Sequence, residues 1–397
     1  MTTIAVPDPL SSYITTIQQS QDDKELHWLI AQIISPEFPQ IIETLEICRN
    51  LLMYNSPQQP DPKNRIERGP AIKLPVSSGK SEVLKGIVVR DGENISQFQV
   101  SIHEPHLNKY IHKLNLVKPI LLPQIITAKE SIEDSIDIIN QLLDLFKSEI
   151  HEDDERLVRL FINLLEKIQI SKTSLQIPID PNLVFPLNIT PPDTFEPELV
   201  PSIAIDFYIS QAEMCIDLKS LHRVKEKPWG EIEKSTGRSY IDKIRDEMKL
   251  PNSQSSIISR TPSIQTYAGS FSSQQVPPKP DPPVETSTHI PPSPPLNVAD
   301  IEKRLHEMTA AASTTEHTEN TSGFNLGKVM SRLQLGPKHD PIDYITKCIT
   351  YNSMVVMVSK KVEVSSPDPV LVSAFTKLDS VEYLISSYLD CLNKLMN

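Results

Sequence analysis

Apolar residues recur with two different periods along this chain, and the periods separate helical from extended regions. Residues 24–55, 125–147 and 157–168 place an apolar residue at every third or fourth position, which is typical of helices that bury one face. Residues 95–102 and 203–218 place one at every second position, which is typical of strands with one buried face. The pattern predicts a protein of the α+β class.

The most regular extended pattern is a hairpin. Two apolar runs, residues 83–89 and 95–102, flank the dipeptide Asp91-Gly92, which tolerates the positive φ angles of a tight turn. A further extended run at residues 110–118 predicts an antiparallel sheet of at least three strands. The buried face of the second hairpin strand is predicted to consist of Phe98, Val100 and Ile102.

The helical pattern also predicts how the helices begin and pair. Ser35-Pro36 interrupts the first helical run as an N-cap followed by proline, which predicts a break or kink there. The two middle helices, joined by a short acidic turn near Asp153, are expected to form an antiparallel hairpin. The last helix carries a broad apolar stripe, so residues 29–52 and 381–395 are predicted to pack against each other.

Proline marks a change in character between residues 251 and 325. The chain has 35 prolines against 10 glycines, and nine of the prolines fall in residues 277–295. A segment so poor in apolar residues cannot offset the entropy of ordering its backbone. It is interpreted as a disordered, partly polyproline II linker with one weak helix around Ile301.

Charge and cysteine usage restrict the class of protein. The net charge of −12 argues against a general nucleic-acid binder and against simple electrostatic attachment to anionic lipid. The sequence has neither a secretory signal pattern nor an apolar run of the roughly 18 residues that a membrane span needs, so an intracellular, soluble protein is expected. The cysteines show no metal or redox spacing and are interpreted as small buried hydrophobic residues: Cys48, Cys215, Cys348 and Cys391.

Two short stretches resemble enzyme motifs but depart from them. Gly79-Lys80-Ser81 resembles the end of a phosphate-binding loop, but Leu74 stands where that motif requires glycine and a strand follows instead of a helix. Residues 151–155 resemble the start of a zinc-protease motif with glutamate in place of the second histidine. An acidic helix start is the better interpretation of this stretch.

A cluster of histidines follows the hairpin. His103, His106 and His112, with Glu104, are close in sequence, but His103 and His106 would face opposite sides of a strand. They are interpreted as surface and turn residues. No catalytic, cofactor-binding or metal-binding residue is assigned, and no cofactor is expected.

Five stretches, in this order along the chain, resemble one protein family. They are residues 24–53, 83–102, 121–144, 201–222 and 378–395. Together they resemble the Rogdi leucine-zipper family, whose fungal members are the small subunit of the RAVE complex, the regulator of the ATPase of vacuoles and endosomes. The resemblance covers most of the chain that is expected to be ordered, and it rests on patterning and order because the stretches contain no catalytic signature.

The resemblance implies a helical bundle formed by both chain ends and the middle helices, together with a separate antiparallel β domain. The apolar stripes agree, because they need partners that other helices supply. The bundle is assigned to residues 24–56, 121–170, 340–350 and 366–397. The β domain is assigned to residues 70–120, 172–224 and 351–365. A mostly disordered insertion is assigned to residues 225–338.

The resemblance also implies a function, that of a non-enzymatic subunit that helps to assemble the vacuolar proton-pumping ATPase (V-ATPase). The implied partners are a large WD-repeat RAVE subunit, an SKP-type adaptor and V-ATPase peripheral-sector subunits, with no nucleic acid and no direct membrane insertion. The implied location is cytoplasmic, with peripheral recruitment to vacuole and endosome membranes. Two alternatives stay open: a hydrolase or transferase with a non-contiguous site, and a scaffold that binds SH3 or WW domains through residues 277–295.

Overall fold

The computed structural model describes residues 21, 24–78, 81–147, 154–247 and 341–396. These residues contain helices and antiparallel sheets, which confirms the α+β class. Most of the predicted insertion, with its weak helix near Ile301, lies outside the described residues. The chain divides into two compact units: a first unit of Met1–Ser220 and Ser359–Asn397, and a second unit of Leu221–Val358.

Six α-helices of at least seven residues are described. They are α1 (Ser35–Tyr54), α2 (Pro123–Lys147), α3 (Asp154–Gln176), α4 (Tyr240–Glu247), α5 (Pro341–Lys347) and α6 (Pro369–Met396). In the first unit α2 packs against α1 and α3, and α6 packs against α1 and α3. The predicted contact between the first and last helices is confirmed: the Cys48 thiol of α1 donates to the Ala374 carbonyl of α6 over 3.7 Å.

The predicted break at Ser35-Pro36 is instead a change of helical winding. A π-helix, Leu29–Ile34, leads directly into α1, and the Ser35 N–H donates to the Ile30 carbonyl. Proline in an α-helix clashes with the carbonyl four residues earlier, and the wider π turn gives that carbonyl another position. The chain therefore stays helical through Pro36.

The first sheet lies in the first unit. Its strands are β1 (Ile72–Ser78), β2 (Ser81–Asp91), β3 (Asn94–Ile102), β4 (Lys113–Leu116), β5 (Ile120–Leu121) and β6 (Phe195–Glu196). The order is β1-β2-β3-β4-β6, and β5 also pairs with β3. Phe98, Val100 and Ile102 are buried, as predicted, while the alternate residues Gln97 and Gln99 are exposed.

The hairpin turn lies one residue further along than predicted. Asp91 is the last residue of β2 and pairs with Asn94, so the two loop residues are Gly92 and Glu93. Gly92 has a φ of 59°, and a Cβ there would lie 2.5 Å from the Met53 carbonyl oxygen. Glycine is required at this position both for its backbone angle and for this close approach.

Residues 203–218 begin a second sheet and do not extend the first. The strands of the second sheet are β7 (Ile203–Ser210), β8 (Glu213–Arg223), β9 (Cys348–Tyr351) and β10 (Met354–Pro367), in the order β7-β8-β10-β9. Alternation identifies which residues share a face of a strand, but it does not identify the neighbouring strand. The pattern of the residues assigned to the β domain therefore does not reveal that they form two sheets.

One hydrophobic core joins helices and strands within the first unit. It includes Leu45 of α1, Ile132 of α2, Phe98 of β3, Phe207 of β7 and Leu378 of α6. The apolar helix stripes and the apolar sheet faces share this core, in contrast to the separate β domain predicted from the sequence. A stripe on a helix can be covered equally well by another helix or by a sheet.

The second unit has its own small core. Trp229 stacks on Tyr344 of α5 with ring centroids 5.2 Å apart, and Tyr240 of α4 meets the Trp229 ring edge-on. The buried Arg245 guanidinium donates to the Ile345 and Cys348 carbonyls. Residues 225–247, assigned by sequence to the insertion, are thus folded, and α5, assigned to the bundle, belongs to this core.

Candidate functional site

Asp91, the acidic residue of the hairpin, holds neighbouring segments together. Its Oδ1 accepts a hydrogen bond from Asn55 Nδ2 over 3.2 Å and lies 2.8 Å from the Arg68 guanidinium. Arg68 also donates to the Met53 carbonyl. The Asp91 side chain is 39% exposed, so these contacts connect the hairpin to the end of α1 at the surface.

The neighbouring Arg90 forms a completely buried ion pair that the sequence pattern did not reveal. Its Nε lies 2.6 Å from Asp368 Oδ2, and Nη2 lies 3.2 Å from Asp368 Oδ1. Nη1 donates to Asn55 Oδ1 and to the Gly92 carbonyl over 3.0 and 2.8 Å. This two-pronged geometry is the strongest form of arginine–carboxylate pairing.

Asp368 also caps α6. Its Oδ1 accepts hydrogen bonds from the backbone N–H groups of Val370 and Leu371 over 2.9 and 3.1 Å, and Pro369 occupies the first helical position. We call Asn55, Arg90 and Asp368 the Arg90 junction. The Arg90 junction joins the end of α1, strand β2 and the start of α6, and it contains one positive charge, on Arg90, and one negative charge, on Asp368.

A second group of charges, buried at Asp206, Asp217 and Lys219 and open to solvent at Lys361 and Glu363, lies on one face of the second sheet. Lys219 Nζ lies 2.7 Å from Asp206 Oδ2 and 2.6 Å from Asp217 Oδ2. Lys361 Nζ lies 3.3 Å from Asp217 Oδ2 and 2.9 Å from Glu363 Oε2. We call these residues, which all belong to the first unit, the charged face: Asp206, Asp217, Lys219, Lys361 and Glu363.

A loop covers part of the charged face through Asp206. The Asp206 carboxylate accepts hydrogen bonds from the Phe185 backbone N–H and from Asn188 Nδ2, each over 3.0 Å. The Lys219 ammonium lies 5.0 Å from the centre of the Phe185 ring, within range of a cation–π interaction. Both oxygens of Asp206 therefore have partners.

The ionisable groups of the charged face are shifted in different directions. Burial raises the pKa of Asp217, although Lys219 and Lys361 act to lower it. Burial also acts to raise the pKa of Glu363, but the hydrogen bond and charge of Lys361 outweigh it and lower that pKa. Burial, with Glu363 next, raises the pKa of Tyr208, whose hydroxyl donates to Glu363 Oε1 over 3.0 Å.

The charged face brings three carboxylates together: Asp206, Asp217 and Glu363. Converging carboxylates are what a hydrolase or transferase with a non-contiguous site would need. Asp206 and Asp217 are 1% and 5% exposed, and the free oxygen of Asp217 is inaccessible to solvent. A substrate would have to displace Lys219 to reach either carboxylate. In this arrangement neither carboxylate is open to a substrate.

The cysteines are mostly as predicted. Cys48, Cys215 and Cys348 are buried, and burial raises the pKa of each thiol to about 12. A thiol with such a pKa is protonated at neutral pH and is a poor nucleophile. Cys391 is exposed, so the prediction that it is buried was wrong; it lies on the solvent side of α6, next to the buried Leu392.

The remaining sequence candidates are dispersed. His103, His106 and His112 are all exposed, and His112 Nδ1 lies 3.2 Å from Asn108 Oδ1. In the described part of the chain, no three histidine, cysteine or acidic side chains are grouped so that they could hold a metal ion. Gly79-Lys80, residues 148–153 and the proline-rich residues 277–295 lie outside that part.

Several large apolar side chains are exposed on helices of the first unit. Tyr383 of α6 is 75% exposed and its neighbour Leu384 is 36% exposed. Trp28, just before the π-helix, is 58% exposed. Exposed aromatic residues such as Tyr383 and Trp28 are typical anchors of protein–protein interfaces.

Among the helices that the structure describes, none has the length and apolar character to span a membrane.

Comparison with known proteins identifies the family. The family model for Rogdi leucine zipper containing protein matches residues 25–393. A relative from Saccharomyces cerevisiae, Regulator of V-ATPase in vacuolar membrane protein 2, is 27% identical over 245 residues, which cover 57% of this chain and 64% of the relative. The aligned region thus spans less than two thirds of that relative. The match over nearly the whole chain confirms the resemblance found in the sequence: the chain belongs to the Rogdi leucine zipper family.

Proposed function

We propose that this protein regulates the V-ATPase as a non-enzymatic scaffold within a RAVE-type complex. The observation that carries the proposal is the family match together with the similarity to a relative named as a regulator of the V-ATPase in the vacuolar membrane. The chemistry of the described residues supports it, because the buried carboxylates are engaged with lysines and the buried thiols are protonated. The chain then acts through its surfaces.

In this proposal the partners are a large WD-repeat subunit, an SKP-type adaptor and subunits of the peripheral sector of the pump. The protein acts in the cytoplasm and is recruited peripherally to vacuole and endosome membranes. Its role is to hold the peripheral sector near the membrane sector while the two assemble. Vacuolar acidification depends on it for that reason.

The helices of the first unit supply the platform in this proposal. We infer that α1, α2, α3 and α6 act as one bundle whose outer faces contact partners. Tyr383 and Trp28 are the strongest anchor candidates, because both are large, exposed and enriched residue types at binding hot spots. Val381 and Ile385, on either side of Tyr383, are buried, so replacing Tyr383 removes surface without opening the core.

Affinity purification tests both the function and the surface. Cells carry the tagged protein as wild type, as the double variant Trp28→Ala/Tyr383→Ala, or as Tyr110→Ala. Tyr110 is a matched control, since it is also an exposed tyrosine (47%) but follows strand β3 instead of lying on a long helix. Quantitative mass spectrometry then measures the recovered WD-repeat and pump subunits.

We expect the wild type and Tyr110→Ala to recover these subunits, and the double variant to lose recovery about tenfold or more, since one hot spot typically contributes at least ~2 kcal/mol. If the wild type recovers neither the WD-repeat subunit nor pump subunits, the proposed function is wrong. If the double variant recovers as much as the wild type, the function stands and the choice of surface is wrong.

A further inference from the structure

We propose that the charged face of the second sheet is a proton-binding site, in which the Asp217 carboxyl takes up and releases the proton. This inference does not depend on the proposed function. It rests on the arrangement of charges on strands β7, β8 and β10 and on one buried oxygen atom that lacks a hydrogen-bond partner.

The first observation is an unfavourable pair of like charges. Asp206 of β7 and Asp217 of β8 are directly opposite each other in the antiparallel register. Two carboxylates in this position repel each other. The Lys219 ammonium contacts both and offsets the repulsion, but it supplies one positive charge for two negative charges.

The second observation is the unequal satisfaction of these two carboxylates. Asp206 Oδ1 and Oδ2 both accept hydrogen bonds, from Asn188, the Phe185 N–H and Lys219. Asp217 has both lysines on Oδ2, whereas Oδ1 is buried with no hydrogen-bond partner. A buried, unpaired carboxylate oxygen carries a large desolvation cost, which protonation reduces because a neutral carboxyl group costs less to bury than an ion.

The third observation is the overall charge of the site. The ionisable groups around Asp217 come from all three strands: Asp206 and Tyr208 on β7, Cys215 and Lys219 on β8, and Lys361 and Glu363 on β10. With Tyr208 and Cys215 neutral, three carboxylates face two ammonium groups. The excess is one negative charge, which a single bound proton neutralises.

Asp217 is the group on which this proton binds. The Lys361 hydrogen bond and charge favour the ionised form of Glu363, and the partners of Asp206 are all donors. Burial raises the pKa of Asp217. The folded state therefore holds this proton more tightly than the unfolded chain, so the stabilisation is complete below the ordinary value of 3.8 and is lost as the pH rises through the raised pKa.

Denaturation across pH tests the proposal on the full chain. Wild type, Asp217→Asn and Asp193→Asn are unfolded in urea at a series of pH values. Asp193 is a matched control, because its exposed carboxylate pairs with one lysine, Lys118, at the surface. We expect the ratio of the wild-type to the Asp217→Asn folding constant to fall at least about twofold as the pH rises from about 3.5 to 8, and the corresponding ratio for Asp193→Asn to change less. A flat ratio for Asp217→Asn would overturn the proposal.

A measurement on the folded wild type keeps the test valid if Asp217→Asn does not fold. Aspartate side-chain carboxyl carbons are labelled with ¹³C, and their resonances are followed against pH by NMR. One resonance is expected to titrate above the ordinary aspartate value, and Lys361→Met is expected to move it higher still because a neighbouring positive charge is lost. The proposal is wrong if every aspartate resonance titrates at or below the ordinary value, or if Lys361→Met leaves the high one unmoved.

Discussion

The Arg90 junction is a fully buried network of charge and the charged face is a partly buried one, both in the first unit, and the two differ in how completely their charges are paired. The junction has one guanidinium and one carboxylate. Arg90 donates four hydrogen bonds, two to Asp368, one to Asn55 and one to the Gly92 carbonyl. The charged face has one carboxylate more than it has lysines. The balanced network leaves no charge unpaired, whereas the unbalanced one leaves an excess negative charge that a bound proton would neutralise.

The choice of cation explains part of this difference. A guanidinium presents five donors in a rigid plane, so Arg90 can contact Asp368, Asn55 and a backbone carbonyl together. An ammonium is a point charge on a flexible stem, so Lys219 is shared between Asp206 and Asp217 without fixing all four oxygens. The junction therefore acts as a fastening between elements.

Arg90→Met is expected to have the largest effect of the substitutions in the two networks. It leaves Asp368 buried beside apolar atoms, and breaking a buried pair in this way typically costs about 3–5 kcal/mol. Urea denaturation at neutral pH measures the loss. The control is Arg68→Met, which removes an exposed pair with Asp91 and is expected to cost at most about 1 kcal/mol. Equal losses for the two variants would show that the junction contributes no more than a surface pair.

Lys219→Met is expected to have a smaller and more pH-dependent effect. It leaves Asp206 and Asp217 facing each other, at a cost of about 2–3 kcal/mol near neutral pH. Proton uptake by Asp217 relieves the repulsion, so the loss should shrink as the pH falls toward the ordinary range of aspartate. The loss in Arg90→Met should shrink less, because Asp368 keeps its hydrogen bonds from two backbone N–H groups and faces no second carboxylate in the junction.

Denaturation of both variants at pH values on either side of neutrality makes this comparison. Lys118→Met serves as the control for lysine removal, since the exposed pair of Lys118 with Asp193 has side chains 58% and 57% exposed. If the losses in Lys219→Met and Arg90→Met respond equally to pH, the distinction between balanced and unbalanced networks is wrong.

The local parts of the fold were predictable from the sequence. The buried face of β3, with Phe98, Val100 and Ile102, followed from alternation within one strand. The contact of α1 with α6 followed from two apolar stripes that each needed a partner. These features depend on residues that are close in sequence, or on faces that have few alternatives.

Both charged networks escaped prediction because the contacts that bury their charges come from the tertiary fold. Arg90 and Asp368 are 278 positions apart, and either residue alone reads as an ordinary surface charge. Asp217 and Lys219 alternate with apolar residues along β8, which predicts a solvated face. The loop that carries Phe185 and Asn188 covers part of that face. The sequence around the loop does not predict this coverage. Buried charge is identified by its partners, and partners are a property of the tertiary fold.

Asp91→Asn is expected to have the smallest effect, although Asp91 adjoins Arg90 in the sequence and contacts the same Asn55. Asparagine keeps an oxygen that accepts from Asn55 Nδ2, and the lost pair with Arg68 is exposed, so the cost is expected to be at most about 1 kcal/mol. The turn itself depends on Gly92, whose φ of 59° the substitution leaves untouched. Circular dichroism should show a folded variant, and vacuolar acidification in cells should match the wild type. A folded Asp91→Asn protein that fails to support acidification would instead show that this carboxylate has a function beyond joining the hairpin to α1.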